Sequence, residues 1–539
     1  ASQARTKAIK LPAHRGDVTD ASGAVLATTV ERRDIVVDQT LVGQYKRKVN
    51  GHVVSSGVQG AAADLAGVLH LPQQQVAQAL TGTRRFAYVA RDVPPDVARA
   101  ARQLPVPSLR TDQSSRRTYP NGPVAANLLG FVSADGRSWG GIEERYDTLL
   151  KGTPGELTYE QGLDGTEIPT GVVNERDPVD GSTVRLTIDR DLQWEFQQVL
   201  QDQVTATGAQ AGYGVVMDPR TGQVLALVTV PTYDPNNPGK AAPNTTGNGA
   251  LLNVFEPGST AKAITVAAAM EEGKVTPSTK VTVPPSLRRG GTTIHDAETH
   301  GTIRLTTTGV LAQSSNEGTV LLGEQLPAST LYGYLTRFGL AQPTGVGLPE
   351  SRGILAPVQK WNDSQRYTVM YGQGLSVNAL QAASVFATLA NDGVRVAPRL
   401  VAGTTDHTGA FHPAPAPPSA QVISPEVARQ MRLMLENVVG ENGTAELAKI
   451  PGYRVAGKTG TADHPDGKGG YDGYTASFIG MAPADHPRLV IAVVLDRPVK
   501  DHFGGTVAAP VFQQVMTYAL AERKIPPTGT KPPVMPLKW

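Results

Sequence analysis

Glu256-Pro-Gly-Ser259-Thr-Ala-Lys262-Ala-Ile-Thr-Val-Ala-Ala-Ala-Met270 is the stretch on which the reading of this chain turns. Pro257-Gly258 is a turn signal, and the Ala-rich run behind it predicts a helix over 259–272. That helix is apolar nearly all round, so it belongs in a core. Ser259 and Lys262 are three apart and share one face of it. The serine hydroxyl sits where unpaired N–H groups and the helix dipole stabilise developing negative charge. Serine is a weak nucleophile until an adjacent base takes its proton, and a lysine kept neutral by burial can be that base. Taken alone, Ser-x-x-Lys also fits an ordinary serine cap followed by a solvated lysine.

Two further clusters follow. Ser314-Ser-Asn316 comes 55 residues after Ser259, at the end of a segment (305–313) that reads as helix. A serine and an asparagine two apart offer a hydroxyl relay and an amide able to bond a lysine and a substrate amide. Lys458-Thr-Gly460-Thr461 comes 144 residues after Ser314, in a strand-like run over 454–462. Alternation on a strand sends Lys458 and Gly460 one way and Thr459 and Thr461 the other. A strand glycine marks close approach of another backbone, and Lys with Thr suits a carboxylate ligand. Each cluster alone also fits a plain polar turn or strand.

Composition narrows the function classes. With 539 residues and a formal charge of +2, the chain lacks the basic surplus of a nucleic-acid binder. It has no cysteine, which removes disulfides, thiolate zinc sites and a Cys nucleophile. It has no apolar run long enough for a transmembrane helix. The polar start at Ala1 suggests a trimmed or processed N-terminus.

Along the chain, β-rich pieces at 25–30 and 34–37 flank charged Glu31-Arg-Arg33, around a turn at Asp20–Gly23. Helices are expected over 58–82, with Pro72 in a first turn, and over 95–104, with a short strand at 85–91 between them. Residues 105–180 read as loop-rich, and Ser55-Ser56 and Ser114-Ser115 as surface turns. The texture changes near Asp180-Gly181. A strand (183–188), an amphipathic helix (189–203) and a hairpin (212–217 and 224–230) follow. Helices are expected at about 305–324, 328–338, 377–391, 425–439 and 509–523, and strands at 454–462, 475–482 and 488–495. Gly409–Ala420 reads as a Pro-rich surface loop, and Asp463–Gly473 as a flexible loop beside the Lys458 strand. His295-Asp-Ala-Glu298-Thr-His300 has metal-ligand residue types without the H-E-x-x-H spacing, and reads as a polar loop. No metal and no cofactor is expected. The pattern is α+β, an antiparallel sheet flanked by helices.

Taken together, the order S-x-x-K, S-x-N, K-T-G resembles the motif set of penicillin-binding proteins and serine β-lactamases. More specifically, the chain resembles a monofunctional, high-molecular-weight (class B) penicillin-binding protein, and the resemblance covers almost all of it. Arg15-Gly-Asp-Val-Thr-Asp20 with Gly23-Ala-Val-Leu-Ala27 is similar to that family's R-G-x-I-x-D-R-N-G-x-x-L-A, with Ala21-Ser22 in place of Arg-Asn. Arg117-Thr-Tyr-Pro120 and Gly141-Ile-Glu143 resemble its pedestal motifs. Leu186-Thr-Ile-Asp189, Met217-Asp-Pro219 and Pro231-Thr-Tyr-Asp-Pro-Asn236 resemble the start of its transpeptidase domain, and Tyr371-Gly-Gln-Gly374 its segment between the second and third motifs.

The resemblance implies a non-catalytic, dimerisation-like pedestal (1–183), a transpeptidase domain (184–525) and a tail (526–539), with neither a glycosyltransferase domain nor tandem C-terminal domains. It implies a peptidoglycan D,D-transpeptidase that cross-links stem peptides ending in D-Ala-D-Ala and is acylated by β-lactams. Ser259 would be the nucleophile, Lys262 its base, Ser314 the proton relay, and Asn316 the group holding Lys262 and the substrate amide. Lys458 and Thr459 would bind the terminal carboxylate in the Lys458-Thr459-Gly460-Thr461 segment. The backbone N–H groups of Ser259 and Thr461 would form the oxyanion hole. A single N-terminal membrane anchor, an extracytoplasmic catalytic domain, and a membrane glycan polymerase with divisome or elongasome partners would complete the picture. A carboxypeptidase, a β-lactamase, or a β-lactam sensor or scaffold of the same superfamily are the alternatives. The long N-terminal module argues against the two hydrolases.

Overall fold

The computed structural model describes residues 6–161 and 167–539. The first five residues of the expected extended start, and 162–166 of the expected loop-rich stretch, lie outside the described residues.

Strands β1 (Val18–Thr19) and β2 (Val25–Val37) are joined by a turn that Asp20 closes, accepting from the N–H groups of Ser22 and Ala24 at 2.9 and 2.8 Å. The two pieces expected on either side of Glu31-Arg-Arg33 are one continuous strand. Its charged middle is half-exposed, with Arg33 paired to Glu31 and Arg32 to Asp92, so these charges never enter a core. Helices α1 (Gly57–Leu69), α2 (Gln73–Leu80) and α3 (Pro95–Arg102), and strand β3 (Ala87–Val93), fall where expected. Pro72 stands just before the first turn of α2 rather than in it. The stretch read as loop-rich contains strand β4 (Arg110–Thr118), with Ser114-Ser115 in its middle. Its polar sequence has no apolar alternation, and its extended form is set by nine register pairs with β2. Ser55-Ser56 ends a strand, and Ser56 precedes α1.

Residues 35–106 have a small core of their own around Ile35, Tyr45, Leu65, Val76 and Leu80. The N-terminal part is nevertheless sewn to the rest. Strand β5 (Thr183–Leu186) runs parallel to β1 and antiparallel to Val401–Thr405, so one sheet crosses the expected boundary at 183/184. A buried charge node lies nearby. Glu143, with no solvent exposure, accepts from Arg15 Nη2 and Arg117 Nε, both at 2.6 Å.

Behind this junction, helix α4 (Arg190–Thr207) is capped by Asp189. A five-stranded antiparallel sheet follows in the order β7 (Val224–Val230), β6 (Ala211–Met217), β10 (Leu489–Asp496), β9 (Tyr471–Ala482), β8 (Ala456–Pro465). One face carries α4 and α9 (Ala509–Glu522), whose Phe196 and Phe512 rings lie on Gly214 and Gly480. The other carries α8 (Ala379–Ala390), and α5 (Lys262–Glu271) packs among the neighbouring helices; both are buried along most of their length. Strand β8 is left at the edge. The loop expected over 463–473 is mostly strand, because β8 and β9 continue as a hairpin. Asp466 closes its tip on the N–H groups of Lys468 and Gly470 at 2.7 and 2.8 Å. The Pro-rich 409–420 segment includes the short strand Phe411–Pro413. The C-terminal tail is laid along Ile303–Thr306, where Thr306 N donates to the Leu537 carbonyl. Among the described residues, no helix is long and apolar enough to cross a membrane.

Glu143→Ala leaves the Arg117 guanidinium buried with no carboxylate partner, while Arg15 keeps Asp147. Breaking such a buried pair costs about 3–5 kcal/mol, so the free energy of the first unfolding transition in denaturant should fall by that amount and its midpoint move to lower concentration. An unchanged transition would mean the node contributes nothing.

Candidate active site

Ser259 lies in a 3-10 turn (Gly258–Ala261) that feeds directly into α5, one turn tighter than the uniform helix expected. In a 3-10 turn residues i and i+3 eclipse, which sets Ser259 and Lys262 on the same side. Gly258 has φ +56°, a conformation open to glycine, and its N–H donates to the Gly372 carbonyl at 3.1 Å. Gly372 must also be glycine, since a Cβ there would sit 2.0 Å from the Gly258 oxygen. Glu256 accepts from Gly374 N at 3.0 Å, so the Tyr371–Gly374 segment backs the nucleophile turn.

The single helix expected over 305–324 is two, α6 (Thr307–Ala312) and α7 (Asn316–Gly323), following the strand Ile303–Thr306. The break is at Ser314, held at φ +57°, which costs a non-glycine residue roughly 1–2 kcal/mol. Ser315 then caps α7 by accepting from Gly318 N. The break turns both oxygens of Ser314 inward. Lys262 Nζ donates to the Ser314 carbonyl at 2.6 Å and lies 3.1 Å from its hydroxyl. Lys458 Nζ lies 2.8 Å from the same hydroxyl. Neither lysine has any exposed surface.

Asn316 departs from the expectation. Its Nδ2 donates to the His295 carbonyl at 2.8 Å, and it makes no hydrogen bond to Lys262. Ser259 Oγ likewise has no hydrogen-bond partner among the described residues, while Lys262 is turned to Ser314.

On β8 the expected alternation holds. Gly460 faces the nucleophile turn, where a Cβ would come 2.9 Å from the Pro257 carbonyl and 2.4 Å from Ser477 Oγ. Thr459 Oγ1 bonds the Thr444 hydroxyl at 2.8 Å, and Thr461 Oγ1 accepts from Gly504 N at 3.1 Å. Thr444, in the Asn442-Gly-Thr444 turn, carried no sequence signal.

Burial pushes Lys262 down to about 7, against an opposing pull from the Asp296 carboxylate. Lys458 is held well below its ordinary range, first by burial and then by Lys262. Two ammonium groups on one hydroxyl repel each other, so one must be neutral. With Lys262 neutral, Lys458 donates to Ser314 Oγ, and the Ser314 proton points to the lone pair on Lys262. That is a path for moving a proton, assembled from all three clusters.

The loop read as polar also closes on this site. Asp296 Oδ1 accepts from Glu317 N at 3.1 Å, and His300 Nε2 lies 3.0 Å from Asp296 Oδ2 and 3.2 Å from Glu317 Oε2. Glu317 has no exposed side-chain surface, and burial raises its carboxyl to about 7. Among the described residues, this is the one grouping of three or more His, Asp or Glu ligand atoms close enough to share an ion, and Glu298 is not in it.

A helix-covered antiparallel sheet presenting Ser-x-x-Lys, Ser-x-Asn and Lys-Thr-Gly beside its edge strand is the arrangement of the penicillin-recognising active-serine enzymes. Residues 212–517 match the penicillin binding protein transpeptidase domain, and residues 10–186 match the penicillin-binding protein dimerisation domain. The chain is 39% identical over 543 residues to the penicillin-binding protein PbpB of Mycolicibacterium smegmatis, covering 96% of this chain and 84% of that one. It is 35% identical to the peptidoglycan D,D-transpeptidase FtsI of Escherichia coli K12, covering 96% and 86%. The crystal structure of penicillin binding protein 3 from Mycobacterium tuberculosis complexed with aztreonam superposes with a TM-score of 0.77 at 32% identity, covering 98% of this chain and all of that one. The chain belongs to the class B penicillin-binding proteins.

Penicillin acylation, followed by stopped-flow across pH 5–10, should rise with pH through one apparent pKa near 7, well below the free lysine value of about 10.4. The sign follows from the base, because only the neutral amine accepts the serine proton. A rate independent of pH, or one that rises only above 10, would contradict a neutral Lys262.

Proposed function

We propose that this chain is a peptidoglycan D,D-transpeptidase in which Ser259 carries the acyl group. The observation that supports it best is the pair of buried lysines on one serine hydroxyl, at 3.1 and 2.8 Å, one turn from Ser259. Ser259 Oγ attacks the carbonyl carbon of the penultimate D-alanine of a stem peptide, and its proton passes to neutral Lys262. The backbone N–H groups of Ser259 and Thr461 hold the oxyanion. Donors of this kind are worth about 3–4 kcal/mol each by removal. As the C–N bond breaks, Ser314 delivers the proton from Lys262 to the leaving D-alanine amine. Lys458 and Thr459 bind the terminal carboxylate, and Asn316 bonds the substrate amide. Gly460 keeps the edge strand close to the nucleophile turn. An amine from a second stem peptide then attacks the ester, releasing Ser259 and forming the cross-link. A β-lactam follows the first half of this path and stops at the ester. Aztreonam, in the relative's structure, is such a compound.

Residues 1–183 act as a pedestal, 184–525 as the transpeptidase domain and 526–539 as a tail. The pedestal raises the site from the membrane and docks a glycan polymerase of the division or elongation machinery. A single N-terminal anchor holds the enzyme on the extracytoplasmic side.

Intact-mass analysis after penicillin treatment tests the roles. Wild type should gain one penicilloyl adduct, mapping to Ser259. Ser259→Ala should gain none. Lys262→Arg keeps the positive charge but cannot serve as a base, since guanidinium stays protonated, and should acylate at least a hundred-fold more slowly. An adduct on another residue would refute the nucleophile, and a wild-type rate in Lys262→Arg would refute the base.

A further inference from the structure

We propose that Asp296, His300 and Glu317 form a binding site for one zinc-class divalent cation, set directly behind Asn316. The three ligand atoms all lie within 4.8 Å of one another. They come from two segments, the loop over 295–301 and the first turn of α7. Those segments are already bonded at Asn316 Nδ2 to the His295 carbonyl and at Glu317 N to Asp296 Oδ1.

The protonation of His300 follows from its neighbours. Its Nδ1 is 2.5 Å from the Gly301 carbonyl oxygen. A carbonyl only accepts, so Nδ1 carries hydrogen. That leaves Nε2 facing two carboxylates, Asp296 Oδ2 at 3.0 Å and Glu317 Oε2 at 3.2 Å. Three electron-rich atoms converging in this way need protons or a cation between them, and the metal-free arrangement is a protonated Glu317 donating to Asp296. A proton on Nε2 is one donor with one direction, and the hydrogen bond it makes is to Asp296. Glu317 is left over. Its side chain is fully buried, and neither of its oxygens accepts a hydrogen bond. A cation has no such limit and would engage all three atoms together.

The donor set and spacing fit such an ion. One imidazole and two carboxylates suit zinc better than magnesium or calcium, which prefer all-oxygen shells. At zinc bond lengths of about 2.0–2.1 Å, ligand atoms of a tetrahedron sit about 3.3 Å apart. The two separations from Nε2 are close to this. A ligating histidine that donates its other N–H to a backbone carbonyl is the arrangement that fixes tautomer and ring orientation. The chain supplies three ligands, leaving a fourth position for water. The bound ion would clamp the 295–301 loop onto α7 and so fix the carbonyl on which Asn316 hangs. It is thus a positioning element, independent of which residue is acylated.

The test uses the full chain, stripped with a chelator and dialysed. Zinc alone is titrated by calorimetry and against a chromophoric zinc indicator, with magnesium as a control. One equivalent of zinc should bind and magnesium should not compete. His300→Gln and Glu317→Gln should each weaken binding at least thirty-fold. Glu317→Val, which fills the same space without oxygens, should do the same and covers the case of a glutamine variant that does not fold. Absence of a saturable equivalent, or equal binding by wild type and variants, would overturn the site and leave a hydrogen-bonded His–carboxylate network. Neither outcome depends on acylation, so the transpeptidase reading stands or falls separately.

Discussion

Lys262 and Lys458 are buried with no carboxylate within ion-pairing distance among the described residues, and both converge on the hydroxyl of Ser314. Taking an ammonium out of water without a counter-ion costs several kcal/mol, and doing so twice around one oxygen adds repulsion. The fold can bear this only if the site carries fewer protons than two free lysines would. The burial that stability would avoid thereby leaves an amine that can be neutral near neutral pH. Much else follows from keeping that pocket dry: the helix behind Lys262, buried from Lys262 to Met270, the apolar central strand β10, and the tight turn that brings Ser259 beside it.

The clusters come from three separate elements, and backbone contacts between them set the geometry. Gly372 lets its segment lie against Gly258, and Gly460 lets the edge strand lie against Pro257. Either contact would be blocked by a single methyl group. At the other end, the pedestal is not a loose appendage. Strand β5 belongs to a sheet with strands from both sides of the expected boundary, and Tyr119 N donates to Asn236 Oδ1 across it at 2.9 Å.

Part of this was legible in the sequence. Ser259 and Lys262 stood out because a three-residue spacing at the head of an apolar helix has direct geometric meaning. The alternation along Lys458–Thr461 was readable for the same kind of reason. The left-handed backbone at Ser314 was not, because the polar triplet ending the 305–313 segment carries neither proline nor glycine to mark a break. Strand β4 was missed because its pairing with β2, not its own pattern, makes it extended. Glu317 carried no signal of its own, standing inside the helix expected over 305–324. Only folding shows that its side chain points into the protein, toward a loop whose own spacing fits no metal motif. Thr444 is similar: its partner Thr459 is fifteen residues away on another element.

The most direct test is the protonation state of Lys262 itself. Lysine labelled with carbon-13 at Cε, followed by NMR across pH 5–11 and assigned by the signal lost in Lys262→Arg, reads it without chemistry at Ser259. The buried pair predicts that this signal titrates near 7, with Lys458 also far from the surface lysines. A Lys262 signal that titrates with the surface lysines near 10.4 would contradict it.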